Sequence, residues 1–116
     1  MNNPEQKRKL KDLLRNHGYR KGEFKLSSGR TSPHYINCKP IILRGDGLTL
    51  ASNLLLEQIA IASNCVAGLT LGADPLVSGV VMASERFWDE SAKRFGVCGG
   101  LIIRKEPKGH GTGAWI

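Results

Sequence analysis

Long apolar runs are missing from this sequence. The longest mixed stretch is interrupted by Asn64 and Gly68, well short of the ~18–20 residues that a membrane span requires. The opening residues, Met1 to Lys11, are polar and basic with no apolar segment behind them, which argues against a secretory signal. A soluble, cytoplasmic chain with no membrane partner is the expectation. Cysteine is sparse, and Cys38, Cys65 and Cys98 stand far apart with no C-x-x-C spacing. That spacing excludes a disulfide framework and a zinc cluster. Cys65 and Cys98 adjoin valines at the start of apolar runs, so each is expected to be a small buried hydrophobe. Aromatic residues make up only 6% of the chain. With no recognised reader motif beside them, this weighs against nucleic acid as a partner.

Acidic residues are also in deficit, ten against 17 basic, for a net charge of +7. Eleven of the basic residues fall in the first 44 positions, and Arg104, Lys105 and Lys108 form a second cluster. Such an excess suits a polyanion, whether nucleic acid, an acidic membrane surface or a polyphosphate. For Lys7, Arg8, Lys9, Lys11 and Arg15 a solvated helix face is the simpler reading. At 116 residues and 41% hydrophobic, the chain has room for one domain with a modest core.

Periodicity predicts a short amphipathic helix from Pro4 to His17, with Leu10, Leu13 and Leu14 on one face and Gly18 as its stop. From Phe24 to Asn37 the pattern becomes extended, with a turn at Ser27–Arg30 and the second strand bracketed by Pro33 and Pro40. Asp46 can cap a helix running to about Asn64. Cys65 to Leu71 reads as a buried strand, and Asp74-Pro75 opens a helix that continues to about Arg94. Val97 to Ile103 reads as a second buried strand, followed by a Gly- and charge-rich loop to Gly113 and the start of another strand at Ala114–Ile116. Strand, helix, strand in that order predicts an α/β fold with a parallel sheet, right-handed crossovers and flanking helices. Ligands bind such sheets beyond the carboxyl ends of the strands. Here those ends lead into Thr70–Asp74 and Arg104–Gly113.

Three constellations have chemical content. The loop RKEPKGHGTG holds Arg104, Lys105, Lys108 and His110 among three alternating glycines. Arg offers a planar fork to phosphate and Lys a mobile charge, while the glycines let the loop close as a lid. A flexible, soluble surface loop is the bland alternative. The stretch GEFKLSSGRTSPHYIN, Gly22 to Asn37, makes a polar turn followed by Tyr35, which can stack on a planar ring or simply fill a core. In GLTLGADPL, Gly68 to Leu76, a strand feeds a helix whose first N–H groups face the ligand edge. Asp74 there reads as a helix cap rather than a catalytic group.

These segments, in this order, resemble the orotate phosphoribosyltransferases. The early motif of that family stands here as Phe24 to Tyr35, and its loop motif as Arg104, Lys105, Lys108, His110 and Gly111. The likeness runs from about Lys9 to Ile116. It implies a type I phosphoribosyltransferase fold, with 1–44 as an N-terminal hood and 45–116 as the first part of the α/β core of one incomplete domain. It also implies transfer of ribose 5-phosphate from phosphoribosyl pyrophosphate to orotate, giving orotidine 5'-phosphate in pyrimidine biosynthesis. Through the resemblance, Lys105, Lys108 and His110 are catalytic and bind phosphoribosyl pyrophosphate together with Arg104. His34, Tyr35 and Ile36 lie where the family packs orotate. The family uses magnesium on the pyrophosphate and works as a homodimer, with loop 104–113 reaching the other subunit.

Two departures qualify what the likeness implies. Many members carry lysines where this chain has Ser27 and near Leu76, so two cations of the phosphate site are absent. The family also has an adjacent acidic pair followed by a Thr- and Gly-rich turn that holds the 5-phosphate. The one adjacent acidic pair here, Asp89-Glu90, is followed by Ser91 and Ala92 inside an expected helix. The expectation is a truncated member that does not turn over alone. The alternative is a non-catalytic anion-binding or dimerisation module derived from the family.

Overall fold

In a computed structural model, which describes residues 3–59, 63–86, 99–111 and 113–116, the chain forms two compact units, Met1–Leu50 and Ala51–Ile116. The first holds eleven basic and four acidic residues, and so the whole net charge of +7. The second is balanced, with six of each.

The first unit opens with α1 (Asn3–Leu13), which has Glu5 in its first turn and Lys11 in its last. Both charges complement the helix dipole. The helix does not run on regularly to His17. Leu14–Gly18 winds into a wider turn, in which the Tyr19 N–H bonds the Leu14 carbonyl five residues back. Gly18 is buried there, and a Cβ on it would lie 2.7 Å from the Asn37 carbonyl oxygen. Only a glycine admits that approach, which is held by an Asn37 N–H to Gly18 carbonyl bond of 2.8 Å.

An antiparallel hairpin follows, β1 (Tyr19–Lys25) and β2 (Thr31–Ile36), with a bulge between Lys21 and Phe24. Its turn is closed by Leu26 N–H to Arg30 carbonyl and Gly29 N–H to Leu26 carbonyl bonds of 2.8 and 2.9 Å. Gly29 sits at φ 86°, a conformation that favours glycine. Pro33 falls inside β2 rather than ahead of it, which is allowed because each strand of a two-stranded ribbon has a free edge. Pro40 belongs to a short helix that the sequence pattern did not indicate, α2 (Lys39–Ile42), where it occupies the first turn. Ile41 and Ile42 of α2 and Leu50 of α3 (Gly45–Leu56) are buried. At the start of α3, Arg44 makes two 3.0 Å bonds to the Asp46 carboxylate, whose Oδ1 also accepts from the Gly47 N–H at 2.8 Å. The Arg44 bond, reinforced by the Gly47 N–H, holds the Asp46 carboxyl below its ordinary value.

In the second unit, β3 (Cys65–Leu69) and β4 (Gly99–Ile103) pair in parallel from Cys65↔Gly99 to Leu69↔Ile103. They are joined through α4 (Asp74–Arg86). The expected continuation of α4 to Arg94, the first residues of the second strand and Cys98 lie outside the described residues. The helix packs against the strand pair at its glycines. Cβ atoms placed on Gly68 and Gly100 would each come within 2.9 Å of a γ-methyl of Val77. Leu56, Val80 and Ala83 form the core, with Ile59 and Val66 packed against them.

Neither strand is buried as the sequence suggests. Val66, Gly68 and Ile102 are partly covered, whereas Cys65, Ala67, Leu69 and Leu101 are exposed, Leu69 by 56%. A parallel strand is buried on both faces only when both faces carry a packed layer. Among the described residues only the α4 face has one. Cys65 is therefore exposed rather than buried. The terminal Ala114–Ile116 forms no strand. Instead it returns to the loop, with Arg104 N–H to Trp115 carbonyl and Lys108 N–H to Ala114 carbonyl bonds of 2.7 and 3.0 Å.

Candidate functional site

The carboxyl ends of β3 and β4 emerge side by side, because the strands are parallel and in register to their last residues. The Thr70 N–H donates to the Ile103 carbonyl at 2.9 Å, so the first residue beyond β3 is fastened to the last residue of β4. Loops 70–74 and 104–113 thus leave from one edge, as expected of ligand-binding segments in such a sheet. In the shorter loop the Asp74 N–H is spent on the Leu71 carbonyl at 3.0 Å. Asp74, expected as a cap, begins α4 with Oδ1 buried and without a hydrogen-bond partner among the described residues.

The longer loop has a closed neck, formed by the two bonds to the terminal segment, and an open tip. Gly111 and Gly113 take φ of 70° and 66°, which turn the chain back towards that neck. Arg104 donates from Nε to the Glu106 carbonyl at 3.1 Å, so its side chain is held within its own loop. Lys105, Lys108 and His110 are exposed. Among the described residues their side chains have no ion-pair or hydrogen-bond partner. In an otherwise balanced unit, three of the six cations sit on this one loop. Any pull on an anion is therefore local to it.

His34, Tyr35 and Ile36 lie on β2 in the first unit, all of them exposed. Consecutive residues of a strand point to opposite faces. Paired residues share a face, and the register sets Tyr19 opposite Ile36, Arg20 opposite Tyr35 and Lys21 opposite His34. His34 and Ile36 therefore share one face with Tyr19 and Lys21, while Tyr35 lies on the other with Arg20. Tyr35 stacks on Phe24 at 5.5 Å between ring centroids. Tyr19 stacks on His34 at 5.7 Å and bonds it, Oη to Nδ1, at 2.6 Å. Reading the sequence alone missed Tyr19, Arg20 and Lys21. Their sole signal is the pairing register, which the bulge after Lys21 conceals. A cavity of about 580 Å³ in the first unit is walled by Lys9, Asp12, Asn16, Asp46 and Thr49 among others and by none of the candidate residues.

No protein-family model matches the chain. It is 47% identical over 110 residues to the orotate phosphoribosyltransferase of Thermosynechococcus vestitus, covering 95% of this chain and 54% of that protein. It is also 47% identical over 107 residues to the orotate phosphoribosyltransferase of Synechocystis, covering 92% and 50%. Among solved structures, it superposes on the Mycobacterium tuberculosis orotate phosphoribosyltransferase in complex with inorganic phosphate with a TM-score of 0.64. The identity there is 25%, over 89% of this chain and 55% of that one. The orotate phosphoribosyltransferase from Aeropyrum pernix gives a TM-score of 0.59 at 31% identity, over 89% and 53%. The chain spans about half the length of the curated relatives it matches.

Proposed function

The chain belongs to the orotate phosphoribosyltransferase family, and from that premise we propose that it serves the transfer of ribose 5-phosphate from phosphoribosyl pyrophosphate to orotate. The observation that supports this best is the exposed set Lys105, Lys108 and His110 on loop 104–113, whose side chains have no partner among the described residues, at the edge where the parallel strands end. In this reading Lys105, Lys108 and His110 meet the pyrophosphate of the substrate and stabilise the charge that gathers on it as the bond to the ribose breaks. Donors placed where charge develops make the largest common contribution to rate. That the M. tuberculosis relative is in complex with inorganic phosphate agrees with an anion-binding role for the shared fold.

The reading includes a homodimer in the cytoplasm, with loop 104–113 reaching the partner's site. To do so, Arg104 gives up its bond to the Glu106 carbonyl, a net cost of about 0.5–1.5 kcal/mol that a charge-assisted bond to phosphate offsets. Magnesium is assigned to no residue of this chain. Among the described residues no three His, Cys, Asp or Glu side chains are grouped to hold a metal. In this reading magnesium arrives on the pyrophosphate as part of the substrate, and no step is assigned to it.

Titration of the chain with pyrophosphate, followed by amide chemical shifts, tests the reading. The exposed loop holds its ligand by screened charges, so the dissociation constant is expected near 1 mM, about −4 kcal/mol. Shifts should centre on Lys105, Lys108 and Gly111 and fade towards 1 M salt, where the screening length is about 3 Å. A silent loop with responding α1 lysines would make the basic helix the anion site and refute the assignment.

A further inference from the structure

The cavity of the first unit is walled by no residue that the orotate reading uses. Its volume of about 580 Å³ falls within the roughly 300–1,000 Å³ of small-molecule sites. One wall carries Asp12, Leu13 and Asn16, from the end of α1 and the wide turn after it, and the other carries Thr49 and Leu50 of α3. Both walls rest on one side chain. A Cβ on Gly18 would lie 2.8 Å from the Ile41 Cδ1, and one on Gly47 would lie 2.8 Å from the Ile41 Cγ2. Ile41 is only 1% exposed, so it is packed all round, and the spacing of the walls is set before a ligand arrives. Such preorganisation lowers the cost of binding.

The lining groups differ in what they have left to offer. The Asp46 carboxylate is occupied by Arg44 and the Gly47 N–H. Asp12 is exposed and has no ion-pair or hydrogen-bond partner among the described residues. Lys9, the cation among the walls, reaches Glu5 at 3.9 Å and not Asp12. Thr49 donates its hydroxyl hydrogen to the Gly45 carbonyl at 2.6 Å, which leaves its oxygen free only to accept. Acceptors therefore predominate, one of them a carboxylate with its charge uncompensated, and the Asn16 amide can serve either way. Leu13 and Leu50 supply apolar surface.

We propose that this cavity is a binding site for a small organic cation, a protonated amine or amidine carried on an apolar body. Asp12 supplies the countercharge, Thr49 and Asn16 accept further N–H groups, and Leu13 and Leu50 take up the apolar body. Such a ligand is opposite in charge to the pyrophosphate assigned to loop 104–113, so the proposal stands whether or not that assignment does.

The test is a titration of the full chain with benzamidine, a planar amidine of this class, followed by amide chemical shifts. Benzamide has nearly the same shape without the charge, and benzoate has the opposite charge. Benzamidine should shift Asp12, Leu13, Asn16 and Thr49 and bind about tenfold more tightly than benzamide, because hydrogen bonds to an ion are about twice as strong as neutral ones. That preference should fade towards 1 M salt, where the screening length is about 3 Å. Asp12→Asn keeps the shape of the side chain and should bring the two affinities together. Thr49→Val should weaken benzamidine about threefold, the usual worth of one neutral hydrogen bond; unchanged affinity there would take Thr49 out of the site. Glu23→Gln removes an equal charge from β1 and should leave binding as it is. Amide shifts retained away from the cavity would show that each variant folds. Undiminished benzamidine binding by Asp12→Asn, or an equal loss in Glu23→Gln, would reduce the effect to general surface charge and overturn the site. Benzoate shifting Lys9 and Asn16 more than benzamidine does would make it an anion site, and silence of both walls would remove it.

Discussion

Gly68→Ala tests whether the carboxyl edge of the sheet is set by the close approach of α4. A methyl at Gly68 would meet the Ala73 Cβ at 2.7 Å and the Val77 Cγ2 at 2.9 Å, against about 3.5–4.0 Å for comfortable carbon contacts. Neither neighbour is the free end of a long side chain, so the helix itself has to yield by nearly an ångström. Overpacking of this kind costs about 1–3 kcal/mol. Restricting the unfolded chain by replacing glycine returns about 0.4–1 kcal/mol. The net expectation is a destabilisation of about 1–2 kcal/mol, read as a lower urea midpoint at unchanged slope. Gly72→Ala is the control, because nothing lies within 4 Å of its added methyl; it should change stability by less than about 0.5 kcal/mol. Adding Val77→Ala to Gly68→Ala should cost less than Val77→Ala alone, since it removes one of the two clashes, and a double-mutant cycle reads that coupling. Because Ala73 belongs to the loop after β3, amides 70–74 should shift as well. A Gly68→Ala chain as stable as wild type, with those amides unmoved, would refute the close-packing argument.

Gly47→Ala should destabilise the first unit by at least about 2 kcal/mol, because its methyl would overlap the backbone carbonyl of Ile41; at Gly45, where space is open, the same change should be neutral or slightly stabilising by thermal melting. Asp46 should titrate below the ordinary aspartate value in a carbon-13 experiment, and Arg44→Gln should return it towards that value of about 3.9. Since its folded value is the lowered one, its contribution to stability is present above the unfolded value and lost as pH falls through the folded value. Lys105→Ala and Lys108→Ala should each weaken pyrophosphate binding about threefold to tenfold without shifting the melting temperature, because both side chains are exposed and unpartnered among the described residues. Equal pyrophosphate affinity in both variants would take the loop out of the site.

Local pattern alone was enough for several features of this protein. Leucine spacing in α1 and α3, the short apolar run of β3, and the Asp74-Pro75 opening of α4 are encoded within a few residues of one another, and backbone sterics turn them directly into elements. The loop cations were equally legible, because a charge on a glycine-rich loop has nowhere to go but solvent. Other features were decided only by contacts between segments distant in sequence. The continuation from Leu14 to Gly18 departs from a regular helix where Gly18 meets Asn37 and Ile41, partners about twenty residues away. The exposure of Cys65, Leu69 and Leu101 follows from which face of β3–β4 receives α4, and alternation along one strand does not state that. The division of His34 and Ile36 from Tyr35, and the bond between Tyr19 and His34, come from a pairing register that a bulge shifts by one residue. Because side chains alternate with a period of two, one residue of register decides which groups share a face, and so which of them can meet a single ligand.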